Sequence, residues 1–215
     1  ISVARGLVGL KCHARLASGE CGEDAVEMRA GEGMYVGSVR VEDDLCTVAL
    51  CAKASLVREH GADHDAMVSK CWPSWSASWR TSAWIGSPVA RSRYVVPGDV
   101  RSFRVGNAAG AVDPVGGEGI ASALWSGRVL AKLLTGCDHT EAALRYAHER
   151  FARAYSARLR TRLPACRIAA ELLMRPRVLA AVWPMLHAPV LSIGPWYSLT
   201  GKPSLARVME LGTGR

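Results

Sequence analysis

The stretch GNAAGAVDPVGGEGIASAL, residues 106–124, decides our interpretation of the fold. This glycine-rich stretch places five glycines among nineteen residues. Glycine carries no side chain, and five glycines this close together indicate that another group comes close to the main chain. The free N–H groups of a helix that begins near Gly117 would suit a phosphate or an anionic carbonyl oxygen. A tight joint before a helix, without any ligand, is an equally good interpretation at this point.

The residues around the glycine-rich stretch predict an α+β chain. Residues 102–106 predict a strand, and the apolar spacing that follows predicts a helix over 117–134, which Gly136 ends. Upstream, alternating residues predict strands over four segments that short acidic or glycine turns connect as an antiparallel meander: 7–18, 25–30, 33–42 and 45–53. A helix is expected over 55–71.

Two helices are expected downstream of Gly136. The first runs from about residue 140 to 174, bent at Pro164, and the second begins in RPRVLAAVW. Much of the net charge of +8 comes from arginines here, namely Arg145, Arg150, Arg153, Arg158, Arg160, Arg162, Arg167, Arg175 and Arg177. We interpret them as a solvated helix face or a contact for an anionic partner. No nucleic-acid partner is predicted from this charge alone.

The sequence between the sheet and the glycine-rich stretch is rich in tryptophan. Four indoles lie within thirteen residues and are predicted either to line an apolar substrate pocket or to fill a core: Trp72, Trp75, Trp79 and Trp84. The seven cysteines are odd in number and form no tight framework, so we expect reduced thiols in a cytoplasmic protein. They include no Cys-x-x-Cys pair, so no metal site is expected. The sequence begins with Ile1 and shows no signal peptide, which led us to expect a fragment or a processed form.

Residues 178–199 carry no formal charge and are long enough to span a bilayer. Pro184, Pro189 and Pro195 argue against one continuous helix. We therefore expect interfacial or core helices in this segment, with peripheral membrane contact as one of its roles.

The glycine-rich stretch and its flanks, VGNAAGAVDPVGGEGIASALWSGRVLAKLL, resemble the second flavin motif of the glutathione-reductase-type FAD oxidoreductases and monooxygenases. That family includes aromatic hydroxylases, geranylgeranyl reductases and flavin halogenases. The matching residues are Gly106, Ala108, Pro114, Gly117, Gly119 and Ala123. GLVGLKCHARL and GMYVGSVRVEDDLCTVALC resemble strands of the family's substrate-domain sheet. The tail from RPRVLAAVWPML to LTGKP is similar to the geranylgeranyl-reductase-like branch.

The resemblance implies FAD as cofactor and assigns its contacts along the glycine-rich stretch. The family's aspartate that contacts the ribityl chain corresponds to Asn107, which is neutral but can still form hydrogen bonds. The implied cofactor-binding residues are Gly106, Asn107, Ala108, Asp113, Pro114, Gly117, Glu118, Gly119 and Ile120. The family's opening Gly-x-Gly-x-x-Gly motif, which holds the ADP end, does not occur here.

These observations lead us to expect the C-terminal part of a truncated two-domain flavoprotein. Its segments would be an antiparallel substrate-domain sheet over 1–100, the strand-loop-helix flavin motif over 101–136 and a helical region over 137–215. The expected function is an FAD-dependent hydroxylase or reductase acting on a small apolar or isoprenoid-like substrate, with NAD(P)H as a conceivable donor. No catalytic residue is identified, although His13 lies in a strand of the sheet. The alternative is a membrane-surface or partner-binding protein of the same ancestry that has lost catalysis.

Overall fold

The computed structural model describes residues 6–17, 19–22 and 25–186 of the 215-residue chain. The chain divides into two compact units. The first comprises Ile1–Val89 and Ala170–Trp183, and the second comprises Ala90–Ala169 and Pro184–Arg215.

A five-stranded antiparallel sheet forms the first unit. Its strands are β1 (Leu7–Arg15), β2 (Glu27–Gly31), β3 (Met34–Glu42), β4 (Leu45–Lys53) and β5 (Ile85–Pro88). Their order across the sheet is β2-β3-β4-β1-β5. The predicted antiparallel sheet is confirmed. The edge strand β5 was not predicted, because all four of its residues are exposed and show no alternation.

The core of the first unit lies on one face of this sheet. Residues that alternate along the central strands, such as Leu10 and Cys12 in β1 and Val48 and Leu50 in β4, are buried there. Period-2 alternation of this kind is what a strand with one covered face requires. The opposite face is much more open.

Two short helices, α1 (Ala54–His60) and α2 (His64–Ser69), replace the single helix predicted over 55–71. Gly61, whose positive φ of 60° favours glycine, ends α1. The Asp63 side chain then accepts a hydrogen bond from the Ala66 N–H and caps α2. Met67 and Val68 of α2 are buried in the core.

The remaining helices are α3 (Gly119–Leu134), α4 (Glu141–Leu173) and α5 (Pro176–Leu186). In the second unit, Phe151, Tyr155 and Leu159 of α4 are buried together with Ala109 of the glycine-rich stretch. Within the described ranges, none of the helices combines the length and the apolar character needed to cross a bilayer. Residues 187–199 of the predicted apolar segment lie outside the described residues.

The strand predicted over 102–106 is wrong. Val105 is extended, with φ of −126° and ψ of 163°, but residues 102–105 pair with no strand in the part of the chain that the structure describes. A strand needs a neighbour to satisfy its backbone N–H and C=O groups. Alternating composition was therefore not enough to make one here.

Candidate functional site

The glycine-rich stretch begins with a sharp turn at Gly106. Its φ of 56° is left-handed, and its N–H donates to the Ser126 hydroxyl of α3 at 2.8 Å. The Tyr155 hydroxyl of α4 lies 2.7 Å from the Gly106 carbonyl oxygen and 3.2 Å from that of Gly110. Burial raises the pKa of Tyr155. A protonated phenol therefore fixes the loop to α4.

Two glycines of the stretch pack against α4. A Cβ on Gly110 would lie 2.8 Å from a Leu159 methyl carbon, and one on Gly116 would lie 2.7 Å from the Cys166 sulfur. Both distances are too short for real atoms, so these positions need glycine for packing within the second unit. Packing against α4 therefore explains why glycine stands at these two positions, without a ligand.

Asp113 holds the middle of the stretch. Its side chain is almost fully buried and accepts a hydrogen bond from the Val115 N–H, capping the short 3-10 helix Pro114–Gly116. The same carboxylate forms an ion pair with Arg91, whose Nε lies 2.7 Å from Oδ2. A buried carboxylate that is paired and hydrogen-bonded fixes the local backbone.

Glu118 stands directly before α3 and is also buried. Its carboxylate lies 2.7 Å from Nε of Arg162 in α4, and both side chains are at least nine-tenths buried. Arg158, one turn earlier in α4, lies over the Trp125 ring at 4.6 Å. Burial, and next the charge of Arg162, lower the pKa of Arg158. A carboxylate and two guanidinium groups therefore lie together next to α3.

The second half of the stretch is open. A Cβ on Gly117, whose φ is 61°, would meet nothing within 4 Å, and one on Gly119 would meet only the Asn107 amide group at 3.9 Å. Asn107 is exposed, and Ile120 and Leu124 are 80% and 72% exposed. The first N–H groups of α3 have no acceptor within the helix.

This open half provides the groups that a flavin would need. An ideal Cβ on Gly119 meets only the Asn107 amide group within 4 Å, that amide can bond a hydroxyl, and the helix start favours negative charge. The exposed residues Ala108 and Pro114 lie in the same stretch, before Gly117. The residues present therefore fit the ribityl and flavin end of FAD, while Asp113 and Glu118 hold the loop through ion pairs.

The four tryptophans lie in the first unit and are used for packing. Trp72 and Trp75 are buried in its core, and Trp79 and Trp84 pack against that core. The indole N–H groups of Trp75 and Trp84 lie 3.1 and 3.3 Å from the same Asp65 oxygen. A role for these residues as substrate walls stays a prediction.

His13 lies on the face of the sheet opposite the tryptophans. Its Nδ1 is 3.3 Å from the Thr47 hydroxyl in β4, and its backbone N–H donates to the Ser82 hydroxyl. The ring is therefore oriented by a neighbouring strand and is only partly covered.

Sequence reasoning missed the partners that organise the stretch, namely Arg91, Ser126, Tyr155 and Arg162. All but Arg91 lie downstream on helices, and only Arg162 carried a signal as one of the noted arginines. An Asp and a Glu within an otherwise small and apolar stretch were the sequence signal for cationic partners.

No protein-family model matches the chain. No curated protein matches it either. Solved structures do. PqsL, a probable FAD-dependent monooxygenase from Pseudomonas aeruginosa, is 18% identical, with a TM-score of 0.62 over 86% of this chain and 54% of its own.

Two further solved structures agree with that likeness. Klebsiella pneumoniae HpxO, complexed with FAD and uric acid, is 17% identical, with a TM-score of 0.59 over 96% of this chain and 52% of its own. The flavin-dependent brominase Bmp2 is 13% identical, with a TM-score of 0.61 over 91% and 50%. The chain thus spans about half the length of these proteins, and at these identities the likeness establishes the fold that it shares with part of each.

Proposed function

We propose that this chain is the C-terminal part of an FAD-dependent oxidoreductase, in which the glycine-rich stretch contacts the ribityl and flavin end of the cofactor. The observation that carries the proposal is the open start of α3. Gly117 and Gly119 leave space there, although the glycines just before them are packed against α4. Gly117 also ends the 3-10 helix Pro114–Gly116 in a left-handed conformation, so the space beside Gly119 and Asn107 carries the proposal.

Each open group has a role in this proposal. The Asn107 side chain would bond a ribityl hydroxyl, and the N–H groups of Gly119 and Ile120 would stabilise negative charge on the ligand. Asp113 and Glu118 would keep the loop in place through Arg91 and Arg162. FAD would supply the redox chemistry, and the protein would supply position and electrostatics.

The substrate in this proposal is a small molecule. PqsL has been solved in complex with 2-aminobenzoylacetate and HpxO with uric acid, so two proteins that share the fold bind small molecules. Hydroxylation, reduction and halogenation are all compatible with this fold. An apolar or isoprenoid-like substrate, NAD(P)H as donor and a cytoplasmic location are further parts of this proposal.

A matched pair of glycine variants tests the proposal. Gly119→Val fills the open space beside Asn107, whereas Gly127→Val makes the same change further along α3, where a Cβ also meets nothing within 4 Å. Titrating FAD into each purified protein, followed by flavin fluorescence, should show at least tenfold weaker binding for Gly119→Val only. Equal affinities for both variants would contradict the proposal.

The position of Asn107 offers a second test of the same site. Asn107→Asp restores the residue that the resembled family carries and adds an acceptor for a ribityl hydroxyl. We expect FAD affinity to rise, with charge-assisted hydrogen bonds worth more than neutral ones. An unchanged affinity would place the cofactor elsewhere.

The alternative, a membrane-surface protein without catalysis, has one structural observation in its favour. Helix α5 exposes Val178, Trp183 and Met185, and exposed arginines stand at its start. Such a helix could lie on an anionic bilayer. Co-sedimentation with phosphatidylserine vesicles at low and high salt distinguishes the two, because salt-sensitive pelleting is expected only for the alternative.

A further inference from the structure

A surface groove lies between α3 and α4 in the second unit. The two helices follow each other in the chain and are joined by residues 135–140. Trp125 of α3 contacts Arg158 of α4, whereas Leu133, further along α3, lines the groove together with Arg150, earlier in α4. The two helices therefore run antiparallel, and the groove follows their line of contact.

The floor of the groove is apolar. It is lined by Val129 and Leu133 of α3 and by Ala154 of α4, and all three side chains are half-buried. Val129 and Leu133 also pack against the core that contains Phe151 and Tyr155, which holds them in place. The groove has a volume of about 360 Å³, which is within the range of small-ligand sites.

The small side chain of Ala154 explains why the two helices leave a space here. One turn further along α4, the Arg158 guanidinium lies 4.6 Å from the centre of the Trp125 ring and fills the space between the helices. Beside Val129, Ala154 supplies only a methyl group. Trp125 and Leu133 are separated by roughly 12 Å along the axis of α3, so the floor is long and narrow.

Two arginines of α4 stand at the rim of the groove. Arg150 and Arg153 are exposed and belong to its lining. Arg153 lies 4.0 Å from the carboxylate of Glu149, which is a long ion pair. Arg150 takes part in none of the ion pairs among the described residues, and its guanidinium lies 6.0 Å from the Tyr146 ring. The rim therefore carries a net positive charge.

We propose that this groove binds an aliphatic carboxylate, with the hydrocarbon chain over Val129, Leu133 and Ala154 and the carboxylate at Arg150 and Arg153. An apolar floor removes a hydrocarbon chain from water, and guanidinium groups form charge-assisted hydrogen bonds with a carboxylate. The sequence left open whether the arginines of α4 face water or meet an anionic partner, and these two meet one. The site lies within the second unit and does not depend on the FAD site proposed above.

Octanoate is the probe, and 1-octanol and octylammonium are the uncharged and cationic control ligands. Each is titrated into the isotopically labelled 215-residue chain and followed by amide NMR shifts. Octanoate should give saturable shifts centred on Val129, Leu133 and Ala154. We expect weaker binding of 1-octanol and the weakest binding of octylammonium, because the rim attracts negative charge.

Charge variants test the rim. Arg150→Met keeps an aliphatic side chain and should weaken octanoate binding about fivefold, as expected for an exposed charge pair, while 1-octanol binding stays the same. Arg160→Met removes the same charge from another exposed position of α4 and should change neither affinity. Equal effects of Arg150→Met on the two ligands would overturn the proposal.

A variant of the floor tests the groove independently of charge. Ala154→Leu fills the space between the helices and should abolish binding of octanoate and 1-octanol, whereas Ala142→Leu, at an exposed position earlier in α4, should leave both unchanged. Octanoate that binds Ala154→Leu as well as the parent chain, or no saturable shifts in the parent chain, would overturn the proposal. So would pelleting with phosphatidylglycerol vesicles that Ala154→Leu abolishes in a chain that binds no octanoate, because the groove would then hold a membrane lipid.

Discussion

In the tryptophan-rich stretch 72–84 the unusual residues pack against one another, whereas in the glycine-rich stretch 106–124 they separate into a packed half and an open half. The Trp75 ring lies 5.4 to 6.4 Å from three other indoles. Gly110 and Gly116 leave no room for a Cβ beside α4, whereas Gly117 and Gly119 do have room for one. An unusual composition therefore shows that a stretch is constrained, and only the neighbouring atoms show whether the constraint comes from the fold or from a ligand.

Among the variants that test this comparison, Trp75→Ala should cause the largest loss in the free energy of unfolding. Trp75 is 6% exposed, and its N–H donates to Asp65, so the variant leaves a cavity and removes one donor from that carboxylate. We expect a loss of about 4 kcal/mol in the free energy of unfolding, measured by urea denaturation. Trp183→Ala, at a position that is 53% exposed, is the control and should cost much less. A loss below about 1 kcal/mol at Trp75 would favour a pocket wall over a core residue.

Gly110→Ala tests whether the packed half of the glycine-rich stretch tolerates a side chain. The new methyl group would meet Leu159 at 2.8 Å and the Ser92 carbonyl oxygen at 3.2 Å, so we expect destabilisation of about 2 kcal/mol. The same change at Gly127 meets nothing within 4 Å and should stabilise α3 by up to about 1 kcal/mol. Thermal unfolding of both variants measures this difference. A neutral Gly110→Ala would mean that this half of the stretch is also free to receive a ligand.

Glu20→Gln should give the smallest effect, which depends on pH. Hydrogen bonds from Trp72 and Ser74 lower the pKa of Glu20 from its usual 4.5. A carboxyl group with a lowered pKa in the folded state contributes stability above pH 4.5, and that contribution is lost as the pH falls through the folded value. Urea midpoints of the parent chain should therefore fall more below pH 4.5 than those of Glu20→Gln. Glu32→Gln, the same change at an exposed position, is the control.

Much of the fold could be predicted from local pattern. Four strands and the start of α3 were expected close to where they occur, because alternation and glycine turns act over a few neighbouring residues. The break between α1 and α2 was missed although Gly61 and Asp63 form a recognisable stop and cap. Strand β5 could not be found, since its residues are stabilised by pairing with β1 and not by their own alternation.

The candidate site was predictable in position but not in detail. The backbone openings at Gly117 and Gly119 and the exposed Asn107 follow from local sequence. The roles of Gly110 and Gly116 depend on Leu159 and Cys166, which are distant in the chain. No local pattern can identify such partners, and the same holds for Arg162 beside Glu118.

The ion pair between Glu118 and Arg162 has an evolutionary consequence. Both side chains are almost fully buried, so a change that neutralises or reverses one of them leaves an uncompensated charge beside the start of α3. Viable descendants of this chain would have to change the two positions together, exchange their charges, or replace both by apolar residues. Among its relatives, positions 118 and 162 should therefore vary as one inherited character.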